Sequence, residues 1–323
     1  MCTAITFSSN DQYFGRNLDF EHDFGECVVI TPRNYHLPYR YKDTDTHHFA
    51  MIGMALVANE YPLYFDATNE CGLSMAGLYF PGNAVYLPYK EHADNITPFE
   101  FIPWILSQCK DICQAKALLQ NLNLVNESFN DQYPLSPLHW IIADKTAAIT
   151  VEPTANGIKT FDNPIGVLTN NPPFDFHMHN LANYLNLTNN EPTNRFAPTY
   201  PITPYSRGMG AIGLPGDLSS ASRFVRAAFV KLNSVCENTE NASVNQFFHI
   251  LHSVEQQNGC AKVGDLYEKT IYTSCCNTDK GIYYYTTYDN SQITGICMYN
   301  TDLNQNSLSV FPLVTTLQLR IEN

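Results

Sequence analysis

Basic residues are scarce in this chain. Its 323 residues include 18 lysines and arginines against 31 aspartates and glutamates, a formal net charge of −13. No cluster of basic residues interrupts that balance. Nucleic acid and anionic membrane surfaces are therefore excluded as partners, since either would be bound against net repulsion. Long apolar runs are also missing. No 18-residue stretch is apolar enough to cross a bilayer, and no basic patch leads into an apolar run after Met1. The expectation is a soluble, cytoplasmic protein. Internal repeats and low-complexity tracts are absent, and no linker divides the chain, so one domain over residues 1–323 is expected. The proline- and glycine-rich stretch 172–216 reads as surface loop.

Metal-ligand clusters are lacking as well. His47-His48 and His177-x-His179 have no Cys, His or acidic partner at site-like spacing and read as exposed loop histidines. Gly208-Met209-Gly210-Ala211-Ile212-Gly213 matches the dinucleotide fingerprint letter for letter. Its context fails: two prolines precede it where a strand is needed, and Pro215-Gly216 prevents a helix from following. Gly72 to Gly77 misses the serine-hydrolase elbow by one residue and lies in a strand pattern. No cofactor and no metal are expected.

What the chain does have is core-forming material, with 44% hydrophobic and 13% aromatic residues. Ten cysteines are unnecessary as staples in a chain of this size. Cys27, Cys71, Cys236, Cys260 and Cys297 read as buried small apolar residues, and Cys109/Cys113 and Cys275-Cys276 as core packing. Strand patterns occupy residues 2–7, 12–19, 27–31, 49–58, 62–67 and 72–80. Helices are expected over 99–108, with Thr97-Pro98 as N-cap and N1, and over 111–122. Strands return at 138–144, 147–152 and 157–161. Helices follow at 217–232 and 243–255, then strands at 269–276, 281–288, 292–298 and 307–319. Blocks of this kind make an α+β protein of stacked layers.

The chemistry concentrates at the beginning. Removal of Met1 leaves Cys2 as the first residue, carrying a thiol and a free α-amine together. An α-amine has a pKa of ~7.7–8.0, so an appreciable fraction is an unprotonated base near neutrality. It can take the proton of its own thiol, and the thiolate is a strong nucleophile. If a turn at residues 8–11 folds strand 12–19 back, Cys2 lies opposite residue 17 or 18. Arg16 and Asp19 then flank it, the arginine favouring the thiolate and the carboxylate positioning the amine.

Cys2-Thr3-Ala4-Ile5-Thr6 with Tyr13-Phe14-Gly15-Arg16-Asn17-Leu18-Asp19 resembles the choloylglycine hydrolase family of bile salt hydrolases and penicillin V acylases. The resemblance continues through Tyr61 to Ala67, Gly166-Val167-Leu168-Thr169-Asn170-Asn171-Pro172, Ser206 to Gly210, Arg223, and Cys275-Cys276-Asn277 to Asp289-Asn290. It implies a four-layer αββα sandwich of the N-terminal nucleophile hydrolase type, with two antiparallel sheets between helical layers. It implies an amidase with Cys2 as nucleophile, assisted by Arg16, Asp19 and Arg223, and an oxyanion hole built from the Asn170 side chain and the Tyr79 backbone N–H. Leu18, Phe20, Phe24 and Phe65 become candidates for holding a steroid.

The resemblance further implies conjugated bile salts as substrate and a bacterial homotetramer, with the blocks closest to enzymes of intestinal Gram-positive bacteria. One departure stands out. Tyr79 occupies a position where bile salt hydrolases typically carry asparagine and penicillin V acylases resemble this chain. Penicillin V is therefore the alternative substrate, and a non-catalytic steroid-binding protein the alternative of a different class.

Overall fold

The computed structural model describes residues 1–323. Along the chain come β1 (Cys2–Ser8), β2 (Gln12–Phe20), β3 (Cys27–Thr31), β4 (Met51–Ala58), β5 (Tyr61–Asn69) and β6 (Ser74–Tyr79). A short parallel pair, β7 (Asp94–Ile96) and β8 (Leu122–Leu124), brackets helices α1 (Phe101–Gln108) and α2 (Ile112–Leu119). Next are β9 (Leu138–Ala143), β10 (Ala148–Thr154), β11 (Gly157–Asp162) and β12 (Val167–Leu168). Helices α3 (Phe174–Asn180), α4 (Ser220–Asn233) and α5 (Glu240–His252) precede β13 (Ala261–Val263), β14 (Leu266–Asn277), β15 (Ile282–Thr287), β16 (Asn290–Cys297) and β17 (Ser309–Pro312).

These strands form two antiparallel sheets. The first runs β12-β1-β2-β14-β15-β16, with β13 on β14; the second runs β11-β10-β9-β6-β5-β4-β3-β17. The second sheet is apolar on both faces, and period-two alternation divides its side chains between two cores. Val28, Ile30, Ile52, Met54, Ala76 and Ile141 point toward the first sheet and share a core with it. Their neighbours Val29, Met51, Ala55, Met75 and Ile142 point the other way, onto Phe101, Trp104 and Ile105 of α1 and Ala115 of α2. Phe224, Ala227 and Ala228 of α4 and Phe247, Phe248 and Leu251 of α5 cover the outer face of the first sheet. The layers are therefore helix, sheet, sheet, helix: the α+β, αββα order that the resemblance implies.

Several local readings need correction. Helix α1 starts at Phe101, two residues later than the pattern suggests. Its entry is tied by the Glu100 carboxylate, which accepts from the Thr97 N–H at 2.9 Å, while no Thr97 side-chain cap forms. Pro103 then falls in the first turn, where its missing N–H costs nothing. The last strand is four residues long, because Ser309–Pro312 pair with Ile30 back to Cys27 and β3 ends there. Cys27 is buried, but Cys71 and Cys260 are exposed and Cys236 and Cys297 partly so; of the helix pair, Cys109 is buried and Cys113 exposed. All ten thiols are free. His47 is exposed as expected, but His48 and His177 are buried.

Candidate active site

The β1–β2 hairpin sets the site. Cys2 pairs with Leu18, one of the two partners the turn allowed, and Ala4 with Arg16. Side chains on one face of a strand recur every second residue. Cys2, Arg16, Leu18 and Phe20 accordingly line one cleft, of about 680 Å³, between the sheets and the loop 128–137. That volume suits a ligand of drug-like size. Phe24 and Phe65 complete an aromatic wall, with ring centroids 4.8 Å apart for Phe20 and Phe24 and 5.7 Å for Phe24 and Phe65.

Asn17 and Asp19 belong to the opposite face, beneath the helices. Asn17 Nδ2 donates to the Leu251 carbonyl of α5 at 2.9 Å. Asp19 accepts from Thr270 Oγ1 at 2.6 Å, a geometry made by a bulge between Thr270 and Tyr272 where β14 crosses β2. Bulges re-aim side chains next to sites in this way. The second Asp19 oxygen is buried without a hydrogen-bond partner, 3.9 Å from Arg223 Nη1. Burial raises the Asp19 pKa, against the opposing pull of Arg223. Arg16 therefore attends the thiol side of the nucleophile and Asp19 its backbone side.

Arg16 is fully buried. It donates to the Phe65 and Gly77 carbonyls, and its Nη2 has no partner. Burial alone would lower its pKa, but the fields of Cys2, Tyr272, Asp66 and Asp19 outweigh it and the net direction is upward. Asp66 is an equally buried carboxyl, accepting from Tyr272 at 2.8 Å and Tyr283 at 2.7 Å; burial raises its pKa against the opposing pull of Arg16.

Arg223 is also fully buried, although its helical setting reads in isolation as a surface arginine. Its guanidinium donates to the Cys2 carbonyl at 2.6 Å, Thr3 Oγ1 at 2.6 Å and Asn170 Oδ1 at 2.7 Å. Asn170 Oδ1 accepts in addition from the Cys2 N–H at 2.8 Å. Asn170 Nδ2 donates one hydrogen to the Tyr79 carbonyl at 2.7 Å, which leaves its second hydrogen as a donor for a ligand. Tyr79 is the last residue of β6. The Phe80 N–H donates to the Pro137 carbonyl at 2.7 Å, which makes Tyr79 and Leu138 a non-hydrogen-bonded pair. The Tyr79 N–H and C=O consequently both face away from β9, on the side where Asn170 lies, and the tyrosine ring is partly exposed in the cleft.

All six expected catalytic positions thus converge around Cys2. Sequence reading missed the groups that hold them: Asp66, Thr270, Ser220 and two buried histidines, His139 and His177. Asp66 lies in the Tyr61 to Ala67 block without a role of its own there, and His177 reads as a loop residue because α3 is short and buries only Phe174 and His177.

The chain also has counterparts among known proteins. Residues 2–311 match the family of linear amide C–N hydrolases, choloylglycine hydrolase family. The chain is 54% identical to a bile salt hydrolase/transferase of Lactiplantibacillus plantarum, over 98% of each chain. It is 42% identical to a conjugated bile acid hydrolase of Lactobacillus gasseri, over 88% of this chain and 92% of that one. The structure matches the C2A mutant of the Clostridium perfringens conjugated bile acid hydrolase with a TM-score of 0.93 at 35% identity, each chain covered in full. A penicillin V acylase from Agrobacterium tumefaciens has the same fold, with a TM-score of 0.75 at 17% identity over 97% of this chain and 92% of the other. The chain belongs to the choloylglycine hydrolase family and is an amide hydrolase.

Proposed function

We propose that residues 1–323 act as one catalytic unit which, after loss of Met1, hydrolyses the amide bond of glycine- and taurine-conjugated bile salts. The observation that carries this reading is the position of Cys2 and Tyr79 in the wall of a large cleft, with the Asn170 amide bonded to both the Cys2 N–H and the Tyr79 carbonyl. The bile salt names of the relatives support the substrate class.

In this mechanism the Cys2 α-amine takes the thiol proton and the sulfur attacks the amide carbon. The carbonyl oxygen becomes an oxyanion held by Asn170 Nδ2 and the Tyr79 N–H, a contact worth roughly 3–4 kcal/mol per good donor. The ammonium returns its proton to the leaving nitrogen, the C–N bond breaks, and a thioester remains. Water, deprotonated by the same amine, then adds to the thioester carbon and expels the sulfur. Arg16 holds charge at the thiol, Asp19 faces the amine from the other side, and Arg223 locks the Cys2 backbone to Asn170. Interception of the thioester by an amine in place of water is the transferase counterpart of the same step.

Tyr79 favours a second reading, penicillin V as substrate, because it narrows the cleft where bile salt hydrolases typically carry asparagine. The non-catalytic alternative is opposed by Cys2, Arg16, Asp19, Asn170 and Arg223 all being in place. We also infer a homotetramer, for which the exposed apolar side chains of Leu185, Phe196 and Tyr205 in one loop region provide contact surface. A cytoplasmic working location suits the ten free thiols.

The deciding assay is turnover of glycocholate, taurocholate and penicillin V by one preparation. Efficient bile salt cleavage with slow penicillin turnover supports the first reading, and the reverse ranking replaces it. Binding of cholate without turnover of any conjugate, in protein with Cys2 exposed, leaves the non-catalytic reading.

A further inference from the structure

Asn170 works only if its side chain is aimed, and besides the bonds to its amide the aim depends on the backbone of residues 169–170, which follow β12. Both backbone carbonyls of that pair are held by histidines from different layers. His177 Nε2, in α3, lies 2.9 Å from the Asn170 oxygen, and His139 Nε2, in β9, lies 2.9 Å from the Thr169 oxygen. A carbonyl only accepts, so both Nε2 atoms carry hydrogen. His177 Nδ1 is buried with no partner, which makes this ring the neutral Nε2–H tautomer, and burial lowers its pKa in keeping with that form. The ring stacks on Phe224 of α4 at 4.8 Å between centroids. His139 stacks on Phe80 at 4.1 Å, and its Nδ1 faces Glu152 Oε1 at 3.3 Å. Glu152 in turn accepts from the Phe174 N–H at 2.8 Å, which anchors the first residue of α3.

Neither histidine lines the cleft. Both are fully buried, and burying an imidazole costs free energy that an apolar side chain would not. What each achieves is to fix one carbonyl of the asparagine segment from behind. The backbone of that segment is held further by a 2.8 Å bond from the Asn170 N–H to Ser220 Oγ and by the Thr169–Ser220 hydroxyl contact at 2.9 Å, while the Asn170 amide itself is held by Arg223, the Cys2 N–H and the Tyr79 carbonyl.

We propose that His177 and His139 are positioning residues for the reaction, a two-histidine clamp that acts on the oxyanion through Asn170 and touches neither substrate nor nucleophile. The proposal rests on the reading of Asn170 as an oxyanion donor.

The test compares His177→Leu, His177→Gln and the corresponding His139 variants with wild type. Each is also made in an Asn170→Ala background, and all are assayed on whichever of glycocholate or penicillin V the wild type turns over. A wrong substrate assignment shows in the wild type, whereas a wrong clamp shows in the ratio of variant to wild type. His177→Leu is expected to lower kcat roughly 10- to 100-fold, the scale of a displacement of about 1 Å at a site. KM and the rate of Cys2 alkylation by iodoacetamide stay close to wild type. His177→Gln, whose amide nitrogen reaches the Nε2 position, restores most of kcat. In the Asn170→Ala background the histidine variants add no further loss, as expected for residues acting through one another. Wild-type kcat in His177→Leu, loss of rate without rescue by glutamine, or fully additive losses with Asn170→Ala would overturn the proposal. If His177→Leu does not fold, His177→Met against His177→Gln makes the same comparison.

Discussion

The Arg223 guanidinium lies 2.6 Å from the carbonyl oxygen of Cys2 and, through its other nitrogen, 2.7 Å from Asn170 Oδ1. One planar cation thereby fixes the distance between the nucleophile's strand and the asparagine segment. A point charge on a flexible stem cannot span both acceptors. Arg223→Lys is therefore expected to fold but to lose turnover, whereas Arg223→Met leaves Cys2 O, Thr3 Oγ1 and Asp19 without their cation. Breaking a buried charge pair on one side costs about 3–5 kcal/mol, a loss readable in the urea midpoint. Wild-type kcat in Arg223→Lys would show that the geometry does not depend on the fork.

Maturation decides whether the mechanism can operate at all. With Met1 attached, the Cys2 nitrogen is an amide that donates to Asn170, and the free ammonium sits one residue too early, donating to the Asp19 carbonyl at 2.7 Å and contacting Glu268. Active protein is expected to lack Met1 by intact mass, and Cys2→Ser to fold normally with turnover largely abolished. Thiol labelling has to be mapped to the N-terminal peptide, because Cys71, Cys113 and Cys260 are exposed and will react as well. Full activity in protein that retains Met1 would rule out the amine as base.

Much of this site was legible from the first twenty residues, for a physical reason. A short turn narrows the hairpin register to two choices, and the observed pairing of Cys2 with Leu18 fixes which residues neighbour Cys2. The cleft-facing set Cys2, Arg16, Leu18 and Phe20 then follows from period two. What could not be read was anything that depends on crossing between layers. The bulge at Thr270 to Tyr272 and the burial of Arg223 between α4 and β1 need the tertiary fold, as does the clamp of His139 and His177. Arg223 is legible by resemblance alone, His177 reads as an exposed loop histidine although it is buried, and nothing in the sequence singles out His139.

Tyr79 offers a direct test of substrate choice. The contribution proposed for it is a main-chain N–H, which substitution leaves in place, while its ring is partly exposed in the cleft. Tyr79→Asn is expected to keep hydrolytic activity and to raise the ratio of glycocholate to penicillin V turnover by roughly tenfold or more, the scale of pocket contacts worth about 1–3 kcal/mol. An unchanged ratio would remove Tyr79 from the explanation of specificity, and loss of both activities would show that the side chain supports the oxyanion geometry itself.

The pH profile separates the base from its carboxylate neighbour. In the folded chain, burial lowers the pKa of the Met1 ammonium, against the opposing fields of Cys2 and Asp19. A Cys2 amine freed by loss of Met1 would stand one residue further in, and the same direction is expected for it: a neutral base that persists to lower pH than a free α-amine. The acid limb of kcat/KM, which reports the free enzyme, is expected below ~7.7–8.0. Asp19 acts in the other direction, since a nearby anion stabilises the ammonium. Asp19→Asn should therefore move the limb to still lower pH while its plateau falls, because the amine loses its partner. A limb that moves upward would contradict the assigned base. A limb that vanishes would assign it to the Asp19 carboxyl, whose own pKa burial has raised.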